Sequence, residues 1–301
     1  MKQVVLITGS NGMLAQELAK QLEEEYTIRF LTRKKTQSNE YVWDINSNYM
    51  DADALKGVNC IIHLAGASIA EGGWTEERKK LILSSRVDSA KLILNELKKQ
   101  NITIDTFISA SAVGYYGSKT TNEVFEETSS NGDDFVGKVC AAWESAAEAF
   151  KTNNLAKRIV IVRIGVVLAK QNGALKKIMQ PIKYGLGAAI GSGDQYMPWI
   201  HIHDLVSLFK FILHNNTMMG VYNAVSPQSI TNKELTKSIA KAINKPILLP
   251  NIPKFIIKLL FGEKSTILLD GSRVSSKKIT GAGFKFKFEK LSEALDDIFK
   301  E

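Results

Sequence analysis

The chain has 301 residues, with 39 Lys and Arg against 31 Asp and Glu and a formal net charge of +8. No apolar run approaches the roughly 20 residues of a membrane span, and the lysines are scattered rather than grouped, so we expect neither a membrane nor a nucleic-acid partner. Two cysteines make no disulfide framework, and the N-terminus shows no signal-peptide pattern, so we expect a protein of the reducing cytoplasm.

The first predicted elements are a buried strand, a glycine turn and a helix that runs to about Glu25. Four apolar residues precede Thr8, and the pattern G-x-x-G-x-x-A follows. Such a turn exposes backbone N–H groups at the positive end of a helix dipole, which suits a pyrophosphate. The alternative is a structural turn in another α/β protein. The residues expected to bind the cofactor here are Gly9, Ser10, Asn11, Gly12, Met13 and Leu14.

The second predicted strand, residues 26–32, ends in Arg33, Lys34 and Lys35. In a dinucleotide-binding fold this strand end lies beside the adenosine ribose, where an acidic residue favours NAD and a cation suits the 2′-phosphate of NADP. We therefore expect NADP rather than NAD, with Arg33 as the phosphate ligand. The alternative is solvated charge in a turn. Asp44, after a short third strand, either accepts from the adenine amine or caps the next turn.

Small residues follow the next predicted strand, residues 58–64. We expect the backbone of Leu64, Ala65 and Gly66 to lie along the cofactor. A helix over residues 75–99 then carries Arg86 within an apolar stretch. Arg86 is either an inward anion clamp that binds the substrate or part of an exposed helical turn.

Hydroxyl groups cluster after the predicted strand at residues 106–110. Doubly wound sheets bind ligands at the carboxyl ends of their strands. We therefore predict that Ser109 faces the cofactor, that Ser111 is catalytic, and that Tyr115 and Tyr116 are candidate catalytic phenols. The alternative is that these serines satisfy local backbone groups.

Strands and helices alternate through the first 165 residues. This alternation predicts an α/β fold, a Rossmann-type doubly wound parallel sheet with a smaller C-terminal α+β lobe that binds the substrate. We expect a dinucleotide-binding domain over residues 1–168, with return elements near 203–225. The expected substrate lobe comprises residues 169–202 and 226–301.

The loop-rich segment after residue 168 leads to Trp199, His201 and Asp204. We expect Trp199 and His201 to contact the substrate and Asp204 to cap the following helix. His201, His203 and Asp204 lack a further ligand cluster, so no metal site is expected.

The motifs TGSNGMLA, HLAGAS, SASAVGYYG, VRIGVVL and WIHIHDL occur in this order along nearly the whole chain. Together they resemble the extended short-chain dehydrogenase/reductase superfamily, in its NAD(P)-dependent sugar epimerase/dehydratase group. The run GSGDQYMPWIH and the ending LLDGSRVSSKKITGAGFKF are similar to an atypical epimerase-like subfamily with its own C-terminal segment.

The resemblance implies a catalytic unit of Ser or Thr with Tyr-x-x-x-Lys, in which the Tyr transfers a proton and the Lys lowers its pKa and holds the nicotinamide ribose. Ser111 matches the first position. Taking Glu144 as the acidic residue four places after the Lys puts Cys140 at the Lys position and Val136 at the Tyr position, all on one helical face. The proton-transfer pair is therefore missing. Tyr115 or Tyr116 is the expected substitute; Cys140 is either a thiol acid or a small buried hydrophobe.

These expectations combine into two functions. The first is an NADP(H)-binding oxidoreductase or epimerase-like enzyme that acts on a small substrate bearing a hydroxyl or carbonyl group. The second is a catalytically inactive NADP(H)-binding regulatory or scaffold protein, favoured by Val136 and Cys140. The resemblance also implies a homodimer as one oligomeric state.

Overall fold

The computed structural model describes residues 2–170 and 173–300. Residues 1, 171, 172 and 301, which the expected domain ranges include, lie outside the described residues. The strands are β1 (Val4–Thr8), β2 (Thr27–Thr32), β3 (Glu40–Asp44), β4 (Tyr49–Met50), β5 (Val58–His63), β6 (Ile104–Ala112), β7 (Val124–Phe125), β8 (Ala156–Ile164), β9 (Val166–Leu168), β10 (Trp199–His201), β11 (Gly220–Ala224) and β12 (Arg273–Val274).

Helices connect these strands and cover the sheet. They are α1 (Met13–Leu22), α2 (Glu76–Lys99), α3 (Phe135–Thr152), α4 (Ala174–Lys183), α5 (Ile202–His214), α6 (Asn232–Ala242), α7 (Lys254–Phe261), α8 (Thr266–Leu269), α9 (Lys277–Gly281) and α10 (Leu291–Phe299). Short 3-10 helices lie at Ala52–Leu55, Val113–Tyr116 and Gly262–Ser265. No helix within the described residues is both long and apolar enough to cross a bilayer.

The main sheet has eight strands in the order β11-β8-β6-β5-β1-β2-β3-β4. All neighbours are parallel except β3 and β4. The chain builds outward from β1 through β2 to β4, then returns to β5 and builds the other way. The order therefore reverses between β1 and β5, and the crevice at their carboxyl ends is where such sheets bind ligands. The predicted doubly wound α/β fold is confirmed.

Strand β1 is buried on both faces because alternate side chains meet helices on opposite sides of the sheet. Val5 and Ile7 pack in a core with α1 and α5, whereas Leu6 packs with α2 and α3. Burial of each such side chain contributes about 1.5–3 kcal/mol. The two layers together hold the carboxyl end of β1 in place.

A separate core lies toward the C-terminus and unites α4, α6 and α10 around Trp199. The C-terminal segment does not stay within it. Ile279, Phe284 and Phe286 are buried in the core of α1 and α5, and β12 pairs with β7. The expected substrate lobe is thus tied to the main sheet over part of its length, because these aromatic side chains find their apolar neighbours there. The division into two domains stays a prediction.

Candidate functional site

The glycine turn after β1 is shaped by close approach to the end of β5. Gly9 has φ +74°, and a Cβ there would lie 3.1 Å from the carbonyl oxygen of Leu64. The amide of Gly12 donates to the carbonyl of Gly9 at 2.8 Å, and α1 begins at Met13 with no side-chain cap. The first N–H groups of α1 therefore have no side-chain acceptor, and the bare turn fits a pyrophosphate.

The predicted cofactor residues of this turn differ in exposure. Asn11 and Gly12 are exposed, Gly9, Met13 and Leu14 are half-buried, and Ser10 is buried. The exposed backbone of the turn is the part that a phosphate can reach.

The helix α1 ends at Leu22, earlier than the expected Glu25, because the amides of Glu25 and Tyr26 donate back to the carbonyl of Leu22.

A chain of buried hydrogen bonds fastens β5 to β1 beside this turn. The hydroxyl of Thr8 accepts from the amides of Leu64 and Ala65, both at 2.9 Å. Its lone pairs are then used, so it donates to Nδ1 of His63 at 3.1 Å. Nε2 of His63 lies 3.1 Å from the hydroxyl of Ser89 on α2. Burial lowers the pKa of His63 to about 4, so the ring is neutral at pH 7.

The end of β2, where the adenosine ribose is expected to lie, carries the predicted cation. Arg33 follows the last residue of β2 and is exposed, as are Lys34 and Lys35. The part of the chain that the structure describes holds no carboxylate within ion-pair distance of Arg33. Asp44 accepts from the amide of Asn46 at 3.0 Å and from the hydroxyl of Ser47 at 2.8 Å. These contacts match the turn-capping alternative; the adenine contact of Asp44 stays a prediction.

On the opposite side of the crevice, Arg86 reaches from α2 to the loop after β5. Its Nη1 donates to the carbonyls of Ala67 at 3.0 Å and Ile82 at 2.8 Å. Its guanidinium lies 5.0 Å from the ring centre of Trp143 on α3. A Cβ on Gly66 would lie 3.0 Å from Cζ of Arg86. The guanidinium therefore points inward, against the side of Gly66 that carries no Cβ; binding of a substrate anion by Arg86 stays a prediction.

The end of β6 leads into a buried polar network rather than into open space. Ser111, only 2% exposed, donates to Oε1 of Glu144 at 2.6 Å. Arg163 on β8 donates to both carboxylate oxygens of Glu144, each at 2.8 Å. Burial alone would lower the pKa of Arg163, but the ion pair with Glu144 outweighs it and the pKa is raised. Arg163 therefore stays charged inside the protein.

Tyr116 belongs to the same network. Its hydroxyl donates to Oδ1 of Asn223 at 2.7 Å and accepts from Arg163 at 3.1 Å. The ring is 1% exposed and packs on Phe125. This geometry does not favour catalysis by Tyr116 or by Ser111, because both residues are buried and each hydroxyl already donates its proton within the core. Ser109 is also buried and donates to the carbonyl of Ala110 at 3.0 Å.

Tyr115 differs from its neighbour. It is half-buried, and its ring lies 3.3 Å from the guanidinium carbon of Arg163. Its hydroxyl has no hydrogen-bond partner among residues 2–170 and 173–300. Tyr115 is therefore the predicted phenol that retains an unused hydroxyl near this edge of the sheet.

The positions where the resemblance places Tyr and Lys hold buried, closely packed side chains. Val136 and Cys140 are 7% and 3% exposed. A Cβ on Gly114 would lie 2.5 Å from Cγ1 of Val136, so the 3-10 helix after β6 rests directly on α3. Burial raises the pKa of Cys140 to about 12, which keeps its thiol protonated. Cys140 is the small buried hydrophobe of the two alternatives, with no charge at pH 7.

The predicted substrate contacts of Trp199 and His201 are not supported. Trp199 is fully buried and its Nε1 donates to the carbonyl of Gln228 at 3.0 Å. His201 is 3% exposed and accepts from the amide of His203 at 3.2 Å as the cap of α5. Both side chains face the C-terminal core because β10 pairs there with β9. The described residues contain no cluster of three or more metal-ligating side chains.

Asp204, expected to cap α5, performs a different task. Its two carboxylate oxygens accept from the amides of Lys287 at 2.8 Å and Phe288 at 2.9 Å. It is 1% exposed and fastens the C-terminal segment to α5. Its nearness in sequence to the start of a helix suggested a cap, and nothing local indicated a partner 83 residues away.

Sequence reasoning also missed Arg163 and His63. The signal for Arg163 was present, because an arginine inside the apolar run IVIVRIG requires a buried carboxylate partner. His63 similarly ends an apolar strand. Both residues stabilise the site through buried hydrogen bonds, His63 to Thr8 and Arg163 to Glu144, and do not line it.

The strand order, the glycine turn and the crevice define a Rossmann-type dinucleotide-binding fold. A sequence profile of the NAD dependent epimerase/dehydratase family matches residues 5–225, and the chain belongs to that family. A second profile, described as a domain of unknown function (DUF1731), matches residues 252–298. The family and the separate C-terminal segment expected from the resemblance are confirmed.

Relatives of similar length support this assignment. An epimerase family protein of Mycobacterium leprae is 32% identical over 98% of this chain and 95% of its own length. One of Staphylococcus aureus is 32% identical over the full length of both chains. The crystal structure of the human epimerase family protein SDR39U1 (isoform 2) with NADPH has a TM-score of 0.86 and 29% identity, and covers 98% of this chain and 99% of that one.

Proposed function

We propose that this protein is an NADP(H)-dependent, epimerase-like oxidoreductase that acts on a small substrate bearing a hydroxyl or carbonyl group. The observation that carries the proposal is the bare glycine turn: Gly9 lies against the carbonyl of Leu64 at the crevice between β1 and β5. Backbone N–H groups of the turn and of the start of α1 would hold the pyrophosphate.

The preference for NADP over NAD rests on Arg33. Its exposed guanidinium follows β2, where the 2′-phosphate of the adenosine ribose would lie. The human relative at 29% identity was crystallised with NADPH. Arg33 would bind the phosphate through two N–H groups, and Lys34 adds positive charge beside it.

The chain's own contribution to catalysis is positioning and proton transfer. Bound NADP(H) would supply or accept the hydride. Residues 64–66 would form the floor under its nicotinamide half, fastened by Thr8 and His63. Tyr115 is the proposed acid or base, because its hydroxyl alone among the three predicted catalytic hydroxyls is unengaged by the described residues. Ser111 and Tyr116 support it through Arg163.

The test is calorimetric titration with NADPH and NADH of the wild type, Arg33→Ala, and Lys91→Ala as a control for loss of an exposed cation elsewhere. We expect NADPH to bind more tightly than NADH, and Arg33→Ala to weaken NADPH about tenfold or more while NADH changes little. Absence of NADPH binding by the wild type would contradict the proposal.

A second function is favoured by one specific observation. Val136 and Cys140 are buried against Gly114 and carry neither an exchangeable phenol nor a cation. A protein that binds NADP(H) as a structural or regulatory ligand would need neither. The discriminating measurement is transfer of deuterium from C4 of labelled NADPH to a panel of aldehydes, ketones and keto sugars. Transfer that is lost in Tyr115→Phe supports the enzyme; tight binding with no transfer supports the second function.

A further inference from the structure

Arg86 is a half-buried cation with donor groups to spare. Among residues 2–170 and 173–300 only Nη1 donates, to the carbonyls of Ala67 and Ile82. Nε and Nη2 have no acceptor within that part of the chain, and neither is sealed from solvent as the orphaned Nε of Arg78 is. No described carboxylate lies within ion-pair distance of the guanidinium.

Two other arginines show what a purely structural guanidinium looks like in this protein. Arg158 donates Nη1 to three carbonyls and both Nε and Nη2 to the hydroxyl of Thr106. Arg163 donates Nε and Nη2 to Glu144 and Nη1 to Tyr116. Each uses all three nitrogens within the fold, as burial requires. Arg86 leaves the Nε–Nη2 edge unused, and that edge is the one that binds an oxyanion with two parallel N–H groups.

The guanidinium is also held in one place before any ligand arrives. It packs over the bare Cα of Gly66 and 5.0 Å from the ring centre of Trp143, while Nη1 is anchored by two carbonyls. A side chain fixed in this way loses little conformational freedom on binding.

The location selects one half of the expected cofactor. The crevice separates β2, which precedes Arg33, from β5, which precedes the loop that Arg86 touches. Arg33 would meet the adenosine end, so Arg86 lies on the nicotinamide side. Arg86 also contacts α3 at Trp143, which lies about one helical turn after Cys140. Cys140, at the position where the resemblance places a Lys, carries no positive charge.

We propose that the Nε–Nη2 edge of Arg86 binds an oxyanion on the nicotinamide side of the crevice and supplies the positive charge that α3 lacks there. The inference rests on the proposed function. The oxyanion is either the phosphate on the nicotinamide side of NADP(H) or a carboxylate or phosphate of the substrate. A phosphate of the cofactor and a carboxylate or phosphate of the substrate each present two oxygen atoms that can accept from two parallel N–H donors.

The experiment compares NADPH with adenosine 2′,5′-bisphosphate, a fragment that has the adenosine end but no nicotinamide half. Both are titrated into the wild type, Arg86→Met, Arg86→Lys and the control Arg78→Met. Arg78 lies on the same helix and donates to the carbonyl of Ser68 in the same loop. We expect Arg86→Met to weaken NADPH about tenfold or more with the fragment unchanged, Arg86→Lys to recover part of the loss, and Arg78→Met to bind both like the wild type.

A second arm separates the two sources of the oxyanion. Oxalate and inorganic phosphate are titrated into each protein saturated with NADP⁺. Loss of NADPH affinity in Arg86→Met assigns the cofactor phosphate. Unchanged NADPH affinity with loss of anion binding assigns the substrate group. Unchanged NADPH affinity with no anion binding that depends on Arg86 overturns the inference, while the proposed function stands. Failure of the wild type to bind NADPH overturns the proposed function instead. Binding of the fragment by each variant confirms that its crevice is folded.

Discussion

The hydroxyl of Ser111 donates at 2.6 Å to Oε1 of Glu144, inside the buried ion pair that Glu144 forms with Arg163. The pair joins α3 to β8, and Ser111 adds β6 to it. A buried ion pair leaves an uncompensated charge when one partner is removed. The serine, the carboxylate and the guanidinium therefore act as one structural unit behind the site.

Neutralising Glu144 tests this unit. We expect Glu144→Gln to lower the free energy of unfolding by about 3 kcal/mol or more, because Arg163 stays charged in the core without a counterion. Urea denaturation measures the change. Glu148→Gln, one turn further along α3, is the control, with an expected change within about 0.5 kcal/mol. Equal effects of the two substitutions would show that the ion pair adds no specific stability.

Gly9 offers a second test, on the glycine turn. Gly9→Ala places a side chain at φ +74°, at a cost of about 1–2 kcal/mol, and also brings Cβ 3.1 Å from the carbonyl oxygen of Leu64. Gly57→Ala is the matched control, because Gly57 has φ +67° but no atom within 4 Å of a Cβ. We expect both variants to lose stability in thermal unfolding and only Gly9→Ala to lose NADPH affinity. A similar loss of affinity in Gly57→Ala would contradict the role of the turn.

The neutral His63 predicts a dependence of stability on pH. The pKa of folded His63 is lowered to about 4 by burial, against 6.5 for the ordinary group. As the pH falls, the unfolded chain therefore binds a proton at a higher pH than the folded protein does. The stability that the neutral His63 contributes is complete above about pH 6.5 and is lost between about pH 6.5 and 4. The loss amounts to at most about 3 kcal/mol.

Urea denaturation from pH 7 to 4.5 measures this contribution as the difference in slope between the wild type and His63→Gln. We expect the wild type to lose more stability over the interval. Nitrogen NMR of the imidazole supplies an independent check, with the proton on Nε2 throughout. Parallel curves, or a ring that titrates near pH 6.5, would refute the assigned environment.

Asp204 provides a test of the link between the C-terminal segment and α5. In the wild type both carboxylate oxygens of Asp204 accept hydrogen bonds, from the amides of Lys287 and Phe288. Asp204→Asn replaces one of these oxygens by an NH₂ group, which faces an amide donor and cannot accept from it. We expect a loss of about 1.5–3 kcal/mol and faster hydrogen exchange at those two amides. Asp296→Asn on the exposed side of α10 is the control. Unchanged exchange in Asp204→Asn would mean that the segment is held by its aromatic residues alone.

The fold and the positions of the glycine turn and of Arg33 were predictable from the sequence because they depend on local pattern. Apolar runs of four or more residues separated by helical patterns specify a parallel sheet. The turn from Gly9 to Gly12 and the cation at Arg33 follow directly from single strands, so neither depends on distant parts of the chain. The absence of the Tyr and Lys at Val136 and Cys140 followed from the resemblance to the superfamily, with helical spacing from Glu144 giving the register.

Which side chains are free at the proposed nicotinamide side was decided only by tertiary structure. Whether Ser111 faces a substrate or a buried carboxylate depends on Glu144, 33 residues away, and Tyr116 is bound by Asn223, 107 residues away. Arg86 was ambiguous until the positions of Gly66 and Trp143 were known. Polar side chains at strand ends take whichever partner the packed helices bring to them, because an unpaired buried polar group costs more than any local preference. Local pattern thus determined the sheet and the glycine turn, and long-range packing determined which hydroxyls and cations remain free to meet a ligand.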